Sequence, residues 1–266
     1  MKCVYSAGVL AALTKELKFT DPYIMIGSSG SISLAYYVSK QYDSFENIWT
    51  NLLTSKQFLS KQRPFKIMDI DYMVDTVFKK QDRLQTEEIL KSKIKLFFNV
   101  TNYETGQSEY LSGNGGNDIF EIMRATTAIP LIYNKPVQIN NQKYIDGQIT
   151  SSIGRNVEKA ISEGANKIII IHYGDINASS IVGKIFWKIC SLFSNLPVRK
   201  SINEYINGKH DIALPVSIPI YTIKPKSSLP IGLMDNNKDR LIKSFRMGYE
   251  DVVNDINLIS FISEKK

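Results

Sequence analysis

Residues Tyr23–Ser33 read YIMIGSSGSIS, an apolar run set directly against a knot of glycine and serine, after which helix-forming residues begin. Tyr23–Ile26 has the length and composition of a strand, and Ile32–Gln41 reads as the helix that follows it. Only small residues stand between the two, so the connection is a tight turn with no loop. A strand that turns at once into a helix is the repeating unit of α/β folds.

A serine in such a turn has chemical potential. Its hydroxyl becomes a nucleophile when the fold exposes it, a base takes its proton and donors hold the oxyanion formed on attack. The G-x-S-x-G pattern meets the first condition, because small residues on both sides let the backbone bend sharply. Reading from Gly27 centres the pattern on Ser29, with Ser31 in the place of the second glycine. Reading back from Gly30 centres it on Ser28 and puts the bulky Ile26 in the first small position. Sterics favour Ser29, and Ser28 stays as the alternative. Glycine and serine ahead of a helix also make plain caps and turns.

Beyond this unit the chain alternates strand and helix patterns. KLFFNVTNY and QSEYLSG read as two strands joined by a Gly-containing turn, DIFEIMRATTA as a helix broken at Pro130, and QKYIDG as an extended piece. The segment from Ser152 reads as a helix, a turn and a fully buried strand, IIII, of the kind found in parallel sheets. Near the start, Val4, Ala7, Leu10, Leu13 and Leu17 form the stripe of an amphipathic helix, with Lys15 and Glu16 breaking any signal-peptide pattern. The expected class is α/β, with a mostly parallel central sheet in a three-layer sandwich. A single domain is expected over 1–266, with a core at 1–176 and an extension at 177–266 packed on it.

The 266 residues are 43% hydrophobic and 22% charged, with no run near the roughly 20 apolar residues of a membrane span. A soluble or at most peripheral cytoplasmic protein is expected. Cys3 and Cys190 are the only cysteines and fit a reducing compartment; with His172 and His210 they show no metal-ligand spacing, so neither metal nor other cofactor is expected. The net charge of +7 favours anionic partners, but the lysines are dispersed and no nucleic-acid-binding pattern appears. Nucleic acid is not an expected partner, and nothing in the sequence points to an oligomeric state. IVGKIFWKICSLF reads as an amphipathic helix that either packs on the core or rests on an anionic bilayer, inserting Phe186, Trp187, Leu192 and Phe193 with Lys184 and Lys188 near headgroups.

Four pieces taken in order, SAGVLAAL, the serine turn, MRATTAIP and YIDGQI, together resemble the patatin-like phospholipases in their bacterial branch. The C-terminal segments RKSINEYINGK and SFRMGYEDV carry the likeness through the chain. The resemblance implies hydrolysis of acyl-lipid esters by a Ser-Asp dyad through an acyl-serine, with Ser29 (or Ser28) as nucleophile and Asp146 as general base. Gly147 then keeps the backbone tight beside Asp146, and Arg124 and Pro130 give structural support. Without the other pieces, Asp146-Gly147 reads as a β-turn.

In the family pattern a glycine-rich loop precedes the first helix and supplies oxyanion donors. Lys2 falls where that loop has its arginine or lysine and Cys3 where it has its last glycine, and the preceding strand and glycines are not in the chain. With Gly27, Gly30 and Gly147, Lys2 is assigned near the site. The departure carries two expectations: a natural sequence beginning upstream of Met1, or a diverged member with impaired activity. Two rivals to the dyad remain, a Ser-His-Asp esterase using His172 or His210 and a non-catalytic lipid-binding or scaffold protein on the same fold.

Overall fold

The computed structural model describes residues 1–63, 66–133, 135–173, 181–210, 212–214 and 217–264. The expected boundary at 176/177 lies outside the described residues.

The central sheet is organised on β2 (Lys95–Asn102), whose Leu96, Phe98 and Val100 are fully buried. Its alternating apolar residues make it the natural core strand. β3 (Ser108–Ser112) returns antiparallel along one edge, through a turn in which Gly106 takes φ +70°. Because β3 covers Phe97–Thr101, the other edge is left to two strands. β1 (Ile24–Gly27) runs parallel along Lys95–Phe98, and β5 (Gln142–Asp146) runs antiparallel along Val100–Asn102. The two therefore meet C-terminus to C-terminus, Gly27 opposite Phe98 and Asp146 opposite Val100. β4 (Val137–Ile139) pairs with β5 through a two-residue turn with Asn140 at φ +54°.

The α/β class is the one expected, with helices around a central sheet. The strand directions differ from the mostly parallel expectation: among the described residues β1 with β2 is the one parallel pairing in this sheet, and the other three are antiparallel. Short turns at 103–107 and 140–141 force hairpins, and a hairpin cannot be parallel. A second, parallel pair joins β6 (Ile168–Ile171) to β7 (Ile220–Ile223). β6 is not the fully buried strand expected, since only Ile170 is buried, because its other edge faces a cavity.

α1 (Val4–Lys15) is buried on nearly every side, contrary to the amphipathic reading. It lies between α3 (Ser44–Thr50) and α9 (Lys238–Val253), where Tyr5 donates to Asp251 at 2.9 Å. α2 (Ser33–Val38) follows the serine turn, and α4 (Thr86–Lys91) precedes β2. α5 (Ile119–Thr126) covers β2, β4 and β5, and α6 (Ile153–Ser162) covers β1. A wide π-type helix at Tyr72–Gln81 is tied to α5 through Arg124, which bonds Asp71 and pairs with Asp75 at 3.0 Å. α7 (Ile181–Leu192), α8 (Leu196–Ile206) and α10 (Ile256–Ser263) are the remaining helices among the described residues. Among the described residues no helix is long and apolar enough to cross a membrane.

Candidate active site

The meeting of β1 and β5 on one edge of β2 brings Ser29 to Asp146. The Ser29 hydroxyl donates to Asp146 Oδ2 at 2.5 Å across 117 residues of sequence. Asp146 is fully buried and Ser29 is 6% exposed. The second carboxylate oxygen, Oδ1, accepts the Gln148 backbone N–H at 2.8 Å.

The turn explains which serine takes this position. A Cβ on Gly27 would stand 2.3 Å from the Cβ of Ser31 and 2.7 Å from Leu34 Cδ1. The residues two before and two after Ser29 are therefore pressed together, the arrangement the G-x-S-x-G pattern requires of the central residue. Ser28 is held otherwise: its N–H donates to Ser31 Oγ at 3.1 Å and its carbonyl accepts the Ser31 N–H at 2.9 Å. Gly30 takes φ +75°, and a side chain there would also strike Cys3 Sγ at 2.2 Å. Lys2 sits in the turn that opens α1, next to Cys3, whose thiol lies 3.8 Å from the Ser29 carbonyl.

Asp146 is fixed by its backbone. Its N–H donates to Ala128 O at 3.1 Å, its carbonyl accepts Thr101 Oγ1 at 2.8 Å, and Thr126 Oγ1 donates to Asn99 O at 2.8 Å. A side chain on Gly147 would lie 2.0 Å from Asn99 O, so glycine alone lets this backbone lie against β2. The segment RATTAIP thus meets β5 through a carbonyl, that of Ala128. Sequence reasoning did not identify Thr101, Gln148 or Tyr173, the last of which donates to Ser29 O at 3.4 Å. None carries a pattern of its own: Thr101 and Tyr173 give side-chain hydroxyls to backbone carbonyls, and Gln148 gives its backbone amide.

Burial pushes the Asp146 carboxyl up to about 7, against the opposing hydrogen bonds from Ser29 and the Gln148 amide. Ionising a buried carboxyl is unfavourable, and the two donors offset only part of that cost. The result is a carboxylate whose basicity at neutral pH exceeds that of an exposed aspartate.

Neither histidine stands between serine and carboxylate. His210 Nε2 lies 3.2 Å from Ser201 O and 4.0 Å from Glu204, and His172 gives its backbone N–H to Ile223 O at 2.9 Å. Ser28 and Gly30, with Gln148 and Tyr173, line a cavity of about 1050 Å³. Both β1 and β6 turn an edge toward it. Trp187 faces inward at 1% exposure, edge-on to Tyr205 at 5.2 Å, as the core-packed reading of this helix has it and not the reading that inserts it into a bilayer.

A mixed sheet wrapped in helices, with a serine at a strand-to-helix turn, defines the class. Residues 1–156 match the family model for patatin-like phospholipase, more than half of the chain, and the chain belongs to that family. The family's members are hydrolases of lipid esters. No curated protein matches the chain.

Proposed function

We propose that this protein cleaves acyl ester bonds of lipids through an acyl-serine formed on Ser29, with Asp146 as general base. The observation that carries this reading is the 2.5 Å hydrogen bond from the Ser29 hydroxyl to the Asp146 carboxylate. As Oγ attacks the ester carbonyl carbon, its proton passes to Asp146 Oδ2. The tetrahedral intermediate then collapses, and the departing alcohol takes that proton. Water next attacks the acyl-serine, again losing a proton to Asp146, and Ser29 recovers its proton as the fatty acid leaves. A carboxyl near 7 suits both the basic and the acidic half-steps, because general acid–base catalysis works best close to the operating pH. The amide of Gly30, the residue after the nucleophile, is the candidate oxyanion donor.

The chain is read as one domain, supported by α9 lying along α1 and by the Met1 amine donating to Leu233 O at 3.1 Å. We assign it to the cytoplasm, supported by two free buried thiols, and take its substrate to be a phospholipid or other acyl lipid met at an anionic bilayer. Hydrolysis of a soluble short-chain fluorogenic ester tests the chemistry. Ser29→Ala is expected to abolish it and Ser28→Ala to leave it largely intact; the reverse pattern, or survival in both, overturns the assignment.

A further inference from the structure

α7 has two faces of unlike chemistry. At about 100° per residue, Ile181, Ile185, Ile189 and Leu192 fall within an arc of about 80°, with Val182 beside it. All five are exposed, Ile181 and Val182 at 78% and Leu192 at 69%. The apolar surface runs on past the helix end through Phe193 and Leu196. Exposed apolar residues scattered singly need no explanation, but a continuous stripe does.

The charge bordering the stripe is predominantly positive. Lys184 and Lys188 are exposed beside it and no aspartate or glutamate occurs on α7; beyond the helix end Arg199, Lys200 and Lys209 outnumber the one acid, Glu204, in the cleft that Leu196 borders. Aliphatic and aromatic side chains on one face with lysines at its border are the pattern of a helix lying in a bilayer interface, and the excess of lysine and arginine favours anionic headgroups.

The inner face of α7 reaches toward the candidate site. Cys190 Sγ donates to Pro130 O at 3.2 Å, and two residues earlier Ala128 O accepts the Asp146 N–H. A surface against the outer face therefore lies about one helix diameter, roughly 10 Å, from the segment that holds Asp146.

We propose that the outer face of α7, continued by Phe193 and Leu196, docks the protein on an anionic lipid bilayer and holds the site at the membrane surface. This rests on the reading of the protein as a lipid acyl hydrolase. Co-sedimentation of the full chain with vesicles tests it. Phosphatidylcholine vesicles containing phosphatidylglycerol are expected to bind the chain about tenfold more tightly than pure phosphatidylcholine vesicles do. Ile185→Ser combined with Leu192→Ser is expected to weaken binding by about tenfold or more. Lys184→Glu with Lys188→Glu, which keeps the apolar stripe, removes the preference for anionic lipid. Ile256→Ser, at a still more exposed position on α10, leaves binding unchanged.

Thermal melts establish that each variant is folded. The proposal is overturned if the wild type binds neither vesicle, if the Ile185/Leu192 variant binds as well as wild type, or if the Ile256 variant loses binding equally. It is also overturned if lipid-free wild type self-associates through this face and the Ile185/Leu192 variant is monomeric, which makes a second copy the occupant. Soluble-ester hydrolysis separates the two proposals: vesicle binding without hydrolysis sinks the hydrolase and spares the docking surface, and hydrolysis without vesicle binding does the opposite.

Discussion

The Cα of Gly27 and the side chain of Ser31 are so close that a Cβ on residue 27 would stand 2.3 Å from the Cβ of residue 31. That contact fixes the bend of the serine turn and so the direction of the Ser29 hydroxyl.

Gly27→Ala is accordingly expected to destabilise the fold by about 1–3 kcal/mol, the usual cost of overpacking. It is expected to reduce ester hydrolysis more than the stability loss explains, because the bend relaxes. Adding Ser31→Gly removes the nearest obstruction, leaving Leu34, and recovers part of both. Urea unfolding and the soluble-ester assay on the single and double variants check this.

The elevated Asp146 carboxyl sets a pH dependence. Its folded value, about 7, lies above its ordinary 3.8, so between these pH values the folded state binds the more protons. Stability from this group is therefore fully present below about pH 4 and is lost as pH rises through 7, by an amount on the order of 4 kcal/mol. Asp146→Asn is expected to raise stability at pH 8 and to change it little at pH 4, as read by denaturant unfolding at the two pH values.

Catalysis runs the other way. The base must be ionised, so kcat/KM for a soluble ester is expected to rise about tenfold per pH unit below 7 and to level off above it. A profile flat from pH 5 to 8 contradicts Asp146 as the base.

Thr101 holds the Asp146 carbonyl from β2 and also contacts Thr150 Oγ1 at 2.9 Å. Thr101→Val keeps the shape and removes the donor, leaving buried oxygens without it at a cost of about 1–3 kcal/mol. Thermal unfolding and the ester assay on this variant are expected to show a lower melting temperature with a moderate loss of rate.

His172→Gln and His210→Gln are expected to keep hydrolysis within about threefold of wild type, since the serine hydroxyl meets the carboxylate directly. Loss of activity in either folded variant restores the triad.

Much of the candidate site's geometry was legible in the sequence. The apolar run before a knot of small residues marked the strand-to-helix turn, and the turn crowds Gly27 on Ser31, the two small positions that flank Ser29. Asp146 was legible only through the order of the surrounding segments, because Asp-Gly by itself is a common turn. The strand directions were not legible: parallel β1 and antiparallel β5 share one edge of β2 through pairings that no local pattern records. For α7 the amphipathic period was plain, but not which face turned in. Trp187, the bulkiest residue, went inward against Tyr205, and the aliphatic stripe was left outside.

The most direct measurement is the site of covalent modification by a fluorophosphonate, mapped by peptide mass spectrometry on the intact chain. A single adduct on Ser29 is expected, present in Ser28→Ala, absent in Ser29→Ala and strongly slowed in Asp146→Asn. An adduct on Ser28, or labelling of Ser29 at the same rate with and without the Asp146 carboxylate, contradicts it.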